Sequence, residues 1–153
     1  MDKGTYKYVF SFPKFGFVIK FPIIRVKECV SAYRRGFLHL GGIKYYHTFI
    51  WYIFRGINEN WNEFKFYRKH KSSWLLPTYF SLFGLINIQK YGPDCGIKTY
   101  SYFHRIIKND ILEKDRHHFE NNKNFSIIGD CLYFRDYGGR KTQKIIRLLI
   151  ENE

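Results

Sequence analysis

A chain of 153 residues fits one domain and is too short for two ordinary ones, and 45% hydrophobic with 21% aromatic residues supply the material for a core. The 26 Lys and Arg against 13 Asp and Glu leave a charge of +13, which predicts a positive field attracting phosphates, nucleic acid or acidic lipid, and the high hydrophobic content excludes a disordered chain. The three cysteines, Cys29, Cys95 and Cys131, are far apart and lack CxxC spacing, which argues against a disulfide framework or zinc site and for a reducing compartment.

In chain order, MDKGTYKYVF has an acid at position 2 and no long apolar run, so it does not read as a signal peptide. Tyr6 to Ser11 and Gly16 to Phe21 are β-branched and aromatic runs separated by Pro13 and Gly16, which predicts two antiparallel strands. Ile24 to Arg35 carries a helical stripe stopped by Gly36. Phe37 to Arg55 is apolar and poorly periodic, with a helix expected in its second half. Within it Thr48 to Phe54 is the most lipid-like stretch, far below the roughly 20 residues of a membrane span. A cytoplasmic protein, of a bacterium or an infected host cell, is therefore expected, and the alanine-poor, Asn- and Lys-rich usage fits a phage, viral or AT-rich bacterial coding sequence.

Asn58 to Lys71 places Trp61, Phe64 and Tyr67 at helical spacing, with acids early and bases late, as the helix dipole favours. Pro77 to Phe83 and Leu85 to Lys90 flank Gly84 and predict a second hairpin. Tyr91 to Gly96 is dense in turn residues and reads as a linker. Tyr102 to Leu112 predicts a helix with Phe103, Ile106, Ile107 and Ile111 on its packed face. Asp115 to Lys123 reads as a polar loop. Phe125 to Ile128 and Cys131 to Phe134 form a hairpin around Gly129-Asp130, and Lys141 to Glu153 is a closing helix. The order is that of an α+β fold.

Three residues in this frame can carry chemistry. Asp136, in D-Y-G-G at the exit of the last hairpin, is a carboxylate at a strand end beside an Asn-bearing loop, the kind of oxygen donor that a hard cation takes from separate segments. Lys20 lies in a strand as V-I-K between two apolar neighbours, and Glu63 lies on the strongest helix. Strand V-I-K, helix Glu, apolar hairpin, Gly-containing linker, helix, Asp/Asn loop, hairpin and D-Y-G, in that order, are similar to the protein-kinase-like phosphotransferase fold from about Thr5 to Gly139.

The resemblance implies a single kinase-like domain over 1–153: an N-lobe-like part over 1–91 with a small antiparallel sheet and the Glu63 helix, a hinge over 92–96, and a reduced helical C-lobe over 97–153. It implies ATP and Mg2+ as ligands. Lys20 would contact the α- and β-phosphates, Glu63 would pair with it, and Asp136 would hold magnesium. Asp115 would be the catalytic-loop aspartate, with Asn121 or Asn124 for the second metal, and the strand and hinge bearing Gln89 and Tyr91 would pass behind the adenine. Three departures stand against this. Five residues beyond Asp115 lies Glu120, and counting back from Asn124 puts Phe119 at the base position; no G-x-G-x-x-G precedes Lys20; and the 15 residues after Gly138 leave no room for an activation segment or substrate platform.

Three functions are weighed. One is a minimal kinase-like protein binding ATP-Mg and transferring a phosphoryl group to a hydroxyl. Another is an inactive pseudokinase that engages a protein partner. The last is a basic nucleic-acid binder using stripes such as Lys44 to His47 and Phe64 to Lys69.

Overall fold

The computed structural model describes residues 2–3, 6–27, 30–31, 53–96, 99–106, 112 and 115–151. Strands β1 (Asp2–Lys3), β2 (Lys7–Phe12) and β3 (Phe17–Pro22) are followed by helix α1 (Arg55–His70) and strands β4 (Thr78–Leu82) and β5 (Ile86–Lys90). They build an antiparallel sheet of order β1-β2-β3-β5-β4. Helices α2 (Thr99–Ile106) and α3 (Arg116–Glu120), the hairpin of β6 (Phe125–Ile128) and β7 (Cys131–Phe134), and helix α4 (Arg140–Ile150) complete an α+β architecture. Among the described residues no helix is long and apolar enough to cross a membrane.

Side chains alternate across a strand, so register decides which residues share a face. Pairing puts Val9, Lys20, Asn87 and Ser81 in one row across the sheet and Val18, Gln89 and Thr78 in the next. The opposite face carries Phe10, Ile19, Phe21 and Ile88, where Phe10 and Phe21 meet edge to face with ring centroids 5.6 Å apart. The polar face is the buried one: Lys20, Thr78, Asn87 and Gln89 are all inaccessible or nearly so. Burying polar groups is unfavourable unless they are bonded, and each of these side chains makes at least one hydrogen bond, although Asn87 Oδ1 has no partner among the described residues. Asn87 donates to the Asn60 carbonyl at 2.7 Å, and Asn60 donates to the Gly84 carbonyl at 3.0 Å, which fastens α1 to the β4–β5 turn. That turn needs positive φ at both Phe83 (48°) and Gly84 (81°), and a Cβ on Gly84 would strike the Ile57 carbonyl.

The apolar core lies in the second half of the chain. Phe103, Phe119, Phe125 and Phe134 are wholly buried, with centroids 5.0 to 5.7 Å apart, and Leu75, Leu112, Ile145, Ile146 and Leu149 close around them. Burying side chains of this size contributes about 1.5–3 kcal/mol each. In α4 the buried Thr142, Ile145, Ile146 and Leu149 recur at three- and four-residue steps, the stripe of a helix packed on one side.

All three expected hairpins, the Glu63 helix and the closing helix are present, each within three residues of its expected bounds. Two readings need correction. Asp115 to Lys123 is not a loop, because Arg116–Glu120 is one helical turn anchored by the buried Phe119, followed by a 3-10 turn over Asn122–Asn124. Ile106 does not face the core, since it is 51% exposed while Phe103 on the same helix is buried. Of the stripe over Ile24 to Arg35, residues 26, 27, 30 and 31 are helical. Ile24 and Arg25 are not helical. Residues 28–29 and 32–35, the Phe37 to Arg55 helix up to Tyr52, the Lys44 to His47 stripe, Ile107, Ile111 and Cys29 lie outside the described residues.

Candidate functional site

A cleft of about 740 Å³ opens between the polar face of the sheet, α1 and the α3–β7 segments. It is built around Glu63, which α1 presents toward the sheet on the same face as Asn60 and Phe66. Glu63 is fully buried, and both carboxylate oxygens accept from ammonium groups. Lys20 Nζ lies 2.7 Å from Oε1 and Lys7 Nζ 2.9 Å from Oε2. Lys7 also donates to Asp136 Oδ1 at 2.9 Å, so residues 56, 43 and 129 positions apart in the chain join in one chain of ion pairs. The side chain of Asp136 is 42% exposed, which leaves this end of the array open to the cleft.

The segment bearing Asp136 is fixed from two sides. Lys20 Nζ (2.8 Å) and Gln89 Nε2 (3.0 Å) both donate to the Arg135 carbonyl, while the Asn124 carbonyl accepts from the Arg135 and Asp136 amides at 2.8 and 3.4 Å. One residue on, the Tyr137 hydroxyl reaches the Leu76 carbonyl and Thr78, each at 2.7 Å. Gly138 then passes so close to α1 that a Cβ would run into the Glu59 carbonyl. The sheet therefore holds the D-Y-G backbone, and the glycine permits the approach.

Mutual charge sets the protonation states. Burial disfavours the charged form of Lys7, but Asp136, Glu63 and Glu59 outweigh it and raise its pKa. Burial lowers that of Lys20, with Glu63 offsetting only part and Lys7 adding to the fall. For Asp136, burial is overcome by Lys7, Lys20 and His118, and its pKa lies below the usual carboxylate range. Burial raises Glu59 and lowers His118, which loses its charge more readily than an exposed imidazole. Seven Lys or Arg line the cleft against four Asp or Glu, with Glu63 behind them as a fifth acid, so an excess of two positive charges favours an anionic guest.

The remaining expected residues are placed unequally. Asp115 lines the cleft but is 4% exposed, and its Oδ2 accepts from the Thr142 hydroxyl at 2.5 Å. Asn121 lines it too, with its side-chain oxygen accepting from the Lys123 amide at 3.1 Å, and Asn124 donates to the His118 carbonyl at 2.9 Å. Gln89 lies at the cleft floor, whereas Tyr91 does not line it and bonds through its amide to the Gly16 carbonyl at 2.8 Å.

These contacts bear on the expected magnesium. Asp136 Oδ1 is already engaged by an ammonium, Asn121 Oδ1 by a backbone amide and Asp115 Oδ2 by a hydroxyl. Among the described residues no group of three or more His, Cys, Asp or Glu could hold an ion. Three of the oxygens that a hard cation could use therefore already accept a hydrogen bond in this arrangement.

Lys7 is the member that the sequence reading missed. Its signal lies in strand parity: Lys7 and Val9 share a face, and Val9 pairs with Lys20 across the hairpin, so the two lysines are diagonal neighbours. No family model matches the chain, and comparison with curated proteins and with solved structures finds no match either.

Proposed function

We propose that this chain is a kinase-like nucleotide-binding protein whose cleft takes a nucleoside triphosphate of the ATP class. The observation that carries the reading is the convergence of Lys20, Glu63 and Asp136 through Lys7 in one positively charged cleft. Cations already paired to a buried carboxylate stand in fixed positions, and phosphate oxygens can reach them without reorganising the site. Lys20 and Lys7 would face the phosphates, Glu63 fixes both ammonium groups, and the Val9 and Val18 side chains offer the apolar wall that a base requires.

Phosphoryl transfer is the activity such a site serves. The acceptor oxygen would bond to the γ-phosphorus, the bond to the β,γ-bridging oxygen would break with release of the diphosphate, and Asp115 would take the hydroxyl proton. Against transfer stands the Thr142 hydroxyl on the buried Asp115, which favours a second reading, a nucleotide-binding module without turnover. Calorimetric titration of ATP into the parent and Lys20→Met tests binding, and transfer of labelled phosphate tests turnover. Saturable binding weakened at least about tenfold in Lys20→Met supports the proposal. Equal affinities, or no binding by a folded parent, refute it.

A further inference from the structure

Two lysines meet one glutamate and one aspartate in this cleft, and the second lysine is the unexpected one. Lys20 alone would neutralise Glu63. Lys7 instead stands between the two carboxylates, 2.9 Å from each, with its side chain only 7% exposed. An ammonium has three donors and no acceptor, and Glu63 and Asp136 account for two of the three on Lys7. The residue also lines the cleft, so its third donor is available to a guest beside Asp136.

A divalent ion held by Asp136 would supply positive charge at that point. An ion bound at Oδ1 must displace Lys7 or accept its repulsion at contact range. Displacing Lys7 would in turn leave a buried ammonium with Glu63 as its only partner in the cluster. Of the nearby oxygens, Asn121 Oδ1 already accepts from the Lys123 amide and Asp115 Oδ2 from the Thr142 hydroxyl, which weakens the oxygen ligation that could repay the exchange.

We propose that Lys7 is a built-in cation standing in the place of the divalent metal, and that the cleft binds a nucleoside triphosphate without one. This rests on the nucleotide reading of the cleft. It makes Lys7 a phosphate-contacting residue and Asp136 its anchor, and it predicts an unusual metal response: chelation leaves affinity intact.

The test is calorimetric titration of ATP into the full chain in EDTA and again in excess Mg2+, repeated on Lys7→Met and Lys7→Arg, with near-ultraviolet circular dichroism to establish folding. Parent affinities in the two buffers should agree within about threefold, a difference below 1 kcal/mol. Lys7→Met should bind at least about tenfold more weakly in EDTA, and Lys7→Arg, which keeps the charge, should retain binding better than Lys7→Met. Should Lys7→Met fail to fold, the parent's two affinities and Mn2+ binding followed by electron paramagnetic resonance still decide. Mg2+ tightening parent binding by more than about tenfold, or Asp136-dependent Mn2+ binding by the parent, overturns the role of Lys7 while leaving nucleotide binding standing. A folded parent that binds ATP in neither buffer overturns the nucleotide reading, and this inference with it.

Discussion

Glu63 has no accessible surface, and an ammonium meets each of its oxygens, Lys20 at 2.7 Å and Lys7 at 2.9 Å. A buried ion pair contributes little net stability compared with a well-packed apolar replacement, but removing one partner strands the other charge. Glu63→Ala strands two ammonium groups at once. Its unfolding free energy should fall by about 3–5 kcal/mol, read from urea denaturation at neutral pH. A loss under about 1 kcal/mol would mean that water reaches the lysines and the cluster is not buried as described. The Lys20–Glu63 pairing was legible through the resemblance to the kinase-like fold, with which strand parity agrees by turning Lys20 away from Ile19 and Phe21; that Glu63 shares its buried face with Asn60 and Phe66 emerged only from the structure. The engagement of Asp115 by Thr142 was not legible, because no local pattern in the sequence links the two and the tertiary fold brings them together.

At the scale of elements, the sheet binds the segment between β7 and α4 through Lys20, Gln89 and Thr78, and Gly138 sets how close that segment comes to α1. Gly138→Ala would press a methyl group into the Glu59 backbone, which cannot yield as a side-chain tip can. It should lower stability by about 1–3 kcal/mol and pull Asp136 away from Lys7, seen as weaker nucleotide binding in the same protein. Unchanged stability and affinity would show that the approach to Glu59 is not what places Asp136. The β6–β7 hairpin was read to the residue because two short apolar runs flank the Gly129-Asp130 turn, which fixes the register. Helix α3 escaped notice for the opposite reason. A single turn of Arg-His-His-Phe-Glu offers one apolar residue and no period, and tertiary burial of Phe119 holds it rather than propensity. Ile106 shows the reverse error, since a helical period marks positions that share a face, while the neighbouring elements decide how much of that face is covered.

For the molecule as a whole, apolar packing is concentrated around the four phenylalanines of the second half, while the interior between sheet and α1 is polar and joins the cleft. Stability should therefore respond to pH through that polar interior. His118 has its pKa lowered by burial, which the charges of Asp136 and Asp115 only partly offset. The unfolded chain takes up a proton near the ordinary value of 6.5 while the folded chain does not, so stability falls as pH drops below that value and levels off under the folded pKa. Asp136 acts in the same direction at lower pH: its depressed pKa contributes stability that is present above the usual carboxylate range and lost on strong acidification. The melting temperature should rise from about pH 5 to about pH 7, and His118→Phe should flatten that rise. An identical slope in the variant would assign the effect to other groups.

The central claim is that Lys20 and Lys7, fixed by Glu63, receive the phosphates of a nucleotide, and a crystal structure with a non-hydrolysable ATP analogue tests it most directly. Phosphate oxygens should lie within hydrogen-bonding reach of both Lys20 Nζ and Lys7 Nζ, with the base against Val9 and Val18. A triphosphate bound away from both lysines, or an empty cleft at saturating analogue, would contradict it.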